Sequence, residues 1–490
     1  MTVLTAPDRR GFLGLLLAGA ATAVITPEQA LAGAAPAEWT LGVADVDADI
    51  ALQSLTRVHG RSPRDFAGTL YRNGPAKFRR AGGASNHWFD GDGLVRKFSV
   101  GDGKATLAAR FVDTPKRRQE AAINRMAMPG FGSPRGDGVT LSSPDDGNAA
   151  NTAMLMAGDE LLALWEAGSP ARIDPDTLAT RGFKTFRDDL AHMPFLAHPR
   201  VQPDGIIWNI GSGGGKDCVV WKLNVDGSLN KADVIKLPRA SYYHDFTASA
   251  RHLVIVLQPW LQETYKFPLS TGMVWRPEQG TQVLVIDKDD LTKRRIFELP
   301  AFSFFHLGDA WEEKDGTIRF DGAFEADPTF GQISASALLR GEYIRAPRPM
   351  LTQVALHPGG RTDLIASRTA AEFPTVDKRF AGIARRYTNH VAHYREMPFA
   401  HGVGRWDWQH GRSDSFDFGD SQLVEEFVFA PRGRSEGDGW LIGTTLNLKS
   451  RATELHILDA RHVASGPVAT WRAPIALPHS FHGIFVGVRG

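Results

Sequence analysis

The chain has a single cysteine, Cys218, in 490 residues. Without a second thiol, an intramolecular disulfide framework and a thiolate metal cluster are both excluded. Neither charge sign is in excess: 56 basic and 55 acidic side chains leave a formal net charge of +1. That balance gives no reason to expect nucleic acid as a partner, and Lys116-Arg117-Arg118 reads as a short solvated charge run. Long amphipathic helices are scarce, with residues 115–127 the best candidate. A long membrane span is missing as well. The uncharged stretch that opens after Arg9-Arg10 and runs to Pro27 is too short and too rich in Gly and Ala to be a good one.

That stretch has a different reading. Arg9-Arg10-Gly11-Phe12-Leu13 followed by Ala30-Leu31-Ala32 has the layout of a signal peptide over residues 1–32. The paired arginines are similar to a twin-arginine signal, with an ordinary secretory signal as the alternative. Twin-arginine export carries folded proteins, so the expected location is the periplasm and a metal is expected to be loaded before export. Paired cysteines are not needed by a chain that folds before it meets an oxidising compartment. From residue 40 to residue 490 no convincing linker appears, and the reading is one soluble globular domain.

What fills the chain is strand. LLALWEA, GIIWNIGS, CVVWKLNV, HLVIVLQP, TQVLVID, WLIGTTLN and TELHILD are short apolar or β-branched runs between Gly, Asp, Asn and Pro turns. A weak repeat runs through them: a strand enters an acidic turn and then a Leu or Val. It occurs at Asp174, Asp226, Asp287 and Asp459, the first two intervals being 52 and 61 residues. That period suits four-stranded blades with long loops, so the all-β class is read as a β-propeller, with a large β-sandwich assembly as the alternative.

Four histidines each close a strand-like run of distinct character. They are His198 in AHPRVQPDG, His244 in YYHDFTAS, His306 in FFHLGDAWEE and His482 in PHSFHGIF, separated by 46, 62 and 176 residues. No helix or single loop brings such positions together, but the inner strands of successive blades do. Four neutral imidazoles leave a metal its full charge, with two cis positions open in an octahedron whose one face is partly blocked. Ferrous iron fits this best; zinc is second, because its structural sites usually include cysteine and its catalytic sites usually keep three protein ligands. Metal-bound imidazoles need the second nitrogen satisfied. Glu166, Glu372 and Glu426 stand in apolar strands where an unpaired charge is costly, and each is expected to accept a hydrogen bond from a ligand. Among the 16 histidines, His479 is the main rival for the fourth place, with His87 and His192 behind it.

At this point several segments resemble, in order, those of the carotenoid cleavage oxygenase family, whose members include retinal-pigment-epithelial-membrane-protein-like, apocarotenoid-, stilbene- and phenylpropanoid-cleaving proteins. The segments are Leu70-Tyr71-Arg72-Asn73-Gly74-Pro75, Trp88-Phe89-Asp90-Gly91-Asp92-Gly93, Leu164-Trp165-Glu166, Ala197-His198-Pro199, His244-Asp245-Phe246, Phe305-His306 with Ala310-Trp311-Glu312, Glu372-Phe373-Pro374, Glu426-Phe427-Val428 and Phe481-His482-Gly483. The last of these selects His482 over His479. The resemblance covers roughly residues 40–490. It implies a seven-bladed β-propeller with a loop-and-helix dome over the metal face, and one Fe(II) on the axis held by His198, His244, His306 and His482. It also implies cleavage of an alkene by O2 into two carbonyl products, with no side chain acting as general acid or base.

The implied substrate is a lipophilic carotenoid or apocarotenoid. A stilbenoid or propenylphenol is the first alternative, and a non-catalytic carotenoid binder or isomerase on the same scaffold the second. Lys116 lies near where stilbene-cleaving relatives place a phenol-binding lysine. Trp260, Leu261, Phe267, Leu269, Met273, Val274 and Trp275 form an apolar stretch that, by the same resemblance, touches a membrane surface. Two departures from the family pattern, Tyr242-Tyr243 and Gly308-Asp309, flank ligand positions and are expected to shape the cavity or oxygen site.

Overall fold

The structure, a computed structural model, describes residues 37–64 and 66–488. The export segment expected over residues 1–32 lies outside the described residues. Each of the seven runs read as strand is one; HLVIVLQP, for example, supplies His252–Leu257, and TQVLVID supplies Thr281–Asp287.

The strands assort into seven blades. Taking them from the inside outward, the second blade is Ala153–Ala157, Glu160–Leu164, Ala171–Ile173 and Thr180–Phe183. The third runs from Arg200–Val201 to Leu229–Lys236, and the fourth from Thr247–Ala248 to Arg294–Leu299. The fifth and sixth share the long strand Thr362–Thr375. Its first part pairs with Met350–Leu356 and its end with Tyr387–Ala392. The fifth begins at Ser303–Glu312 and the sixth ends at Arg412–Asp417.

The first and seventh blades are each completed by strand from the far end of the chain. Gly483–Gly487 pairs antiparallel with Gly68–Arg72 in the first, and Thr56–Gly60 pairs with Pro467–Arg472 in the seventh. These two exchanges tie the ends together and cover sheet edges that would otherwise be open.

One apolar cluster fills each gap between blades. Tyr71 and Val95 meet Met154 and Leu161 between the first and second; Leu162 meets Ile207 and Trp221 in the next gap. Ile210 meets Ile255, Val283 meets Phe320, and Leu351 meets Trp406 in the three that follow. Val403 meets Leu441, and Phe98 meets Ile442 and Trp471 between the seventh blade and the first. The seventh gap is packed like the others, so the ring is closed. This face-to-face packing suits strands that are apolar on both sides, since both faces of every blade are buried against a neighbour. The innermost strands then touch in sequence around the axis, from Thr247–Ala248 through Ser303–Glu312, Thr362–Thr375, Gln422–Pro431 and Gly483–Gly487 to Ala153–Ala157.

The acidic repeat has a structural meaning. Asp174 accepts from the amides of Asp176 and Thr177, Asp226 from Ser228, Asp287 from Asp289 and Asp290, and Asp459 from Arg461. Each turns the chain from the third strand of a blade to the fourth, as an aspartate bonded to its own backbone does. The helix expected over 115–127 is shorter, Pro115–Ala122, capped by the Thr114 side chain. It stops because Asn124 takes φ 49° and the Glu120 carboxylate accepts from the amides of Ala127 and Met128, folding the chain back. With the short helical turns Trp88–Asp90, Phe330–Ser334 and Ala335–Leu339 it contributes to a dome of loops over one end of the axis.

Candidate metal centre

His198, His244, His306 and His482 meet on the axis, their ligating atoms all within 4.8 Å of one another. His198 Nε2 is 3.0 Å from His244 Nε2. Three of the rings are held from behind. His244 Nδ1 donates to Glu166 at 2.7 Å, His306 Nδ1 to Glu372 at 2.6 Å and His482 Nδ1 to Glu426 at 2.9 Å. A carboxylate at Nδ1 fixes the proton there, so the Nε2 lone pair of each ring faces the axis. Converging lone pairs repel unless a cation lies between them, so the donor set fits a metal with nitrogen ligands. His198 has no such carboxylate among the described residues. Burial presses His198 and His482 toward the neutral, ligating form, holding the first well below its ordinary pKa and the second down to about 4. Burial acts the same way on His306, but there Glu372 outweighs it and the pKa rises.

Each blade supplies one of these seven residues. The first, third, fourth and fifth blades give His482, His198, His244 and His306; the second, sixth and seventh give Glu166, Glu372 and Glu426. Three of the seven stand at irregularities in their ladders, between Phe304 and Leu307, Glu372 and Thr375, and Val424 and Phe427. A bulge breaks the strict alternation of a strand and re-aims a side chain, here toward the axis. At the second of these Phe373 takes φ 50°, and its ring packs 4.8 Å from that of His306 and 5.1 Å from that of His482.

The segments that carry the four histidines are tied by two arginines. Arg72, fully buried, donates to Ser480 Oγ, the Phe481 carbonyl and the Glu426 carbonyl. Phe481 donates its amide to the Asn73 carbonyl, and Gly483 donates its amide to Glu426. A side chain at Gly483 would start 2.7 Å from the Tyr71 carbonyl, so only glycine lets this strand approach. On the other side Arg200 donates to Asp245 and to the carbonyls of Phe246 and Gly308, while Asp245 accepts from the Leu307 amide. These bonds join the strands of His198, His244 and His306.

Above the centre lies a cavity. His244, His306 and His482 form part of its wall with Glu166 and Glu372, and Phe89, Phe131, Phe305, Phe330, Phe399 and Phe481 make it aromatic. The rival histidines do other work. His479 lines the cavity but stacks on Phe399 and bonds the Val424 carbonyl. His87 accepts from the Phe89 amide and donates to the Gly331 carbonyl; His192 bonds Asp145.

Three expectations are corrected. Lys116 is neither a solvated charge nor a phenol ligand: its ammonium is buried, 2.8 Å from both Asp92 and Glu120, and it does not line the cavity. Asp309 faces the opposite side of the ring, accepting from the Gly382 amide in a small recess with Arg200 and Lys378, so the Gly308-Asp309 departure leaves the cavity untouched. Gly308 is required there because a Cβ would start 2.3 Å from Asp321. Tyr242 acts one step back from the cavity: its hydroxyl is 3.2 Å from Glu166, the carboxylate that holds His244. Sequence reasoning passed over Arg72 as a clamp, where a charged residue inside an apolar strand was the available signal, and the cavity-lining carboxyl of Glu325, where there was none.

The chain is similar to known proteins over most of its length. Residues 44–487 match the family described as retinal pigment epithelial membrane protein. The apocarotenoid-15,15'-oxygenase of Synechocystis sp. is 30% identical, covering 91% of this chain and 94% of that protein. The isoeugenol monooxygenase of Pseudomonas putida is 27% identical, covering 87% and 93%, and resveratrol cleavage oxygenase 1 of Aspergillus fumigatus is 27% identical, covering 91% and 94%. In three dimensions the chain is similar to cobalt-substituted Synechocystis ACO, with a TM-score of 0.82 at 24% identity over 93% of this chain and 99% of that one.

Proposed function

The chain belongs to the retinal pigment epithelial membrane protein family, and from that premise we propose that it is a ferrous-iron oxygenase that cleaves a carbon–carbon double bond of an apocarotenoid with O2 to give two carbonyl products. The observation that carries the proposal is the set of four imidazoles within 4.8 Å, three of them fixed by carboxylates, in the wall of an aromatic cavity. His198, His244, His306 and His482 would hold Fe(II), which would supply the activation of oxygen. The chain does the rest. Glu166, Glu372 and Glu426 retain the Nδ1 protons and orient the rings. The aromatic wall excludes water and holds a flat conjugated chain beside the metal, where placement supplies much of the rate. No group in the cavity is required as a general acid or base.

The test uses the Fe(II)-loaded protein with a β-apocarotenal in mild detergent under air. Oxygen-dependent bleaching with two carbonyl fragments is expected. Binding without bleaching would reject this substrate class. The second reading, a propenylphenol or stilbenoid alkene cleaved by the same chemistry, is favoured by relatives at 27% identity that are named for isoeugenol and resveratrol.

Two further parts of the reading concern location. The loop with Tyr265, 75% exposed, and Phe267 leads to Leu269, which lines the cavity. A peripheral membrane contact there would admit a lipophilic substrate, and liposome flotation should be lost in Y265A/F267A. Residues 1–32 are proposed to direct export to the periplasm, so R9K/R10K should hold the protein in the cytoplasmic fraction.

A further inference from the structure

We propose that Glu325 is a specificity-determining residue, its carboxyl donating a hydrogen bond to the oxygen at one end of the bound alkene. This rests on the cavity being the substrate site, as proposed above. Glu325 ends the strand Ile318–Glu325 in the fifth blade and lies opposite Ser303, three positions before the ligand His306. It is 3% exposed, yet it lines the cavity.

The other carboxylates of that wall are engaged. Asp90 accepts from the amides of Phe131 and Gly132, while Glu166 and Glu372 hold histidines. Glu325 has one hydrogen-bond partner among the described residues, the neutral hydroxyl of Ser303 at 3.3 Å, and no cation. A carboxyl so enclosed is costly as an anion. Burial first, then the charges of Glu372 and Asp327, hold its pKa well above the ordinary value, so it keeps its proton and is a donor. A neutral acid in an apolar wall discriminates strongly, since a ligand lacking the matching oxygen leaves it unpaired.

The chemistry recognised is an oxygen acceptor, a carbonyl or hydroxyl, terminating a conjugated hydrocarbon. It comes either from a polyene aldehyde or from a propenylphenol, and the experiment separates them. Wild type, E325Q and E325M are loaded with metal under anaerobic conditions. Each is titrated, by quenching of tryptophan fluorescence, with a polyene aldehyde and its oxygen-free hydrocarbon, and with a propenylphenol and its deoxy analogue. Metal content and thermal unfolding are followed alongside.

E325M should bind the oxygen-bearing member of one pair about tenfold more weakly while its affinity for the oxygen-free member is unchanged, and E325Q, still a donor, should stay near wild type. The pair that responds identifies the source. Equal effects on both members, or none, overturn the proposal, as does failure of wild type to bind either oxygen-bearing ligand. If E325M does not fold, loss of oxygen discrimination in E325Q overturns it and retention supports it. Turnover under air is scored separately. Discrimination without cleavage removes the oxygenase reading and keeps the role of Glu325; cleavage without discrimination does the reverse.

Discussion

A carboxylate behind an imidazole does two things, fixing the tautomer and adding electron density to the ligating nitrogen. Glu166, Glu372 and Glu426 each do this for one histidine. Conversion of any one to Gln should lower metal affinity by about 10–100-fold with the fold intact, checked by competition with a chelator. Y242F removes only one contact to Glu166 and should cost much less in the same assay. If the four imidazoles hold iron as proposed, H244A and H306A should both abolish iron binding and turnover; full activity in an iron-free variant would refute the reading.

The seven axial residues are legible in the sequence because each stands in a short segment whose neighbours are distinctive. Lys116 is misread because a basic triplet looks the same whether its first member is buried or solvated. Glu325 is invisible because FEADP gives no sign that the strand before it ends beneath a cavity.

At the scale of elements, the fit of the last ligand strand depends on the buried cluster of Arg72, Arg96 and Glu425. Replacing Arg72 by Met leaves three acceptors and part of a buried charge without a partner, which should cost about 3–5 kcal/mol in urea unfolding. Metal retention should fall with it, since Ser480 and Phe481 lose their anchor. Burial raises the Glu425 pKa, but Arg72 and Arg96 outweigh it and bring it down to about 2. A depressed folded-state pKa stabilises above the unfolded value and ceases to do so as the pH falls through the folded one. Stability should therefore decline between pH about 4.5 and about 2, and E425Q should flatten that part of the profile.

Strand positions are legible here because short apolar runs end in Gly, Asp and Pro. The bulges are not, since an extra residue in a ladder is visible only against its partner strand.

The number of blades was beyond what the repeat could give. The acidic turn marks only four of them, because the first blade is closed by the last strand and the fifth and sixth share Thr362–Thr375. Only packing in all seven gaps counts them. Truncation after His482 tests the closure: it keeps every axial residue but removes Gly483–Gly487, the strand paired to Gly68–Arg72. That variant should lose metal and unfold without a sharp cooperative transition, read by metal analysis and calorimetry.

The allotment of one axial residue to each blade has a thermodynamic corollary. Residues 166–372 carry three of the four histidines and two of the three glutamates, yet the set becomes a single ligand only when all seven wedges are in register. Affinity for the metal is then a property of the native ensemble as a whole, and the ion should bind the unfolded chain far more weakly. By linkage, every tenfold rise in free metal above its dissociation constant adds about 1.4 kcal/mol to the stability of the ring. A disturbance at a blade far from the axis should therefore surface first as metal leakage, well before any loss of secondary structure.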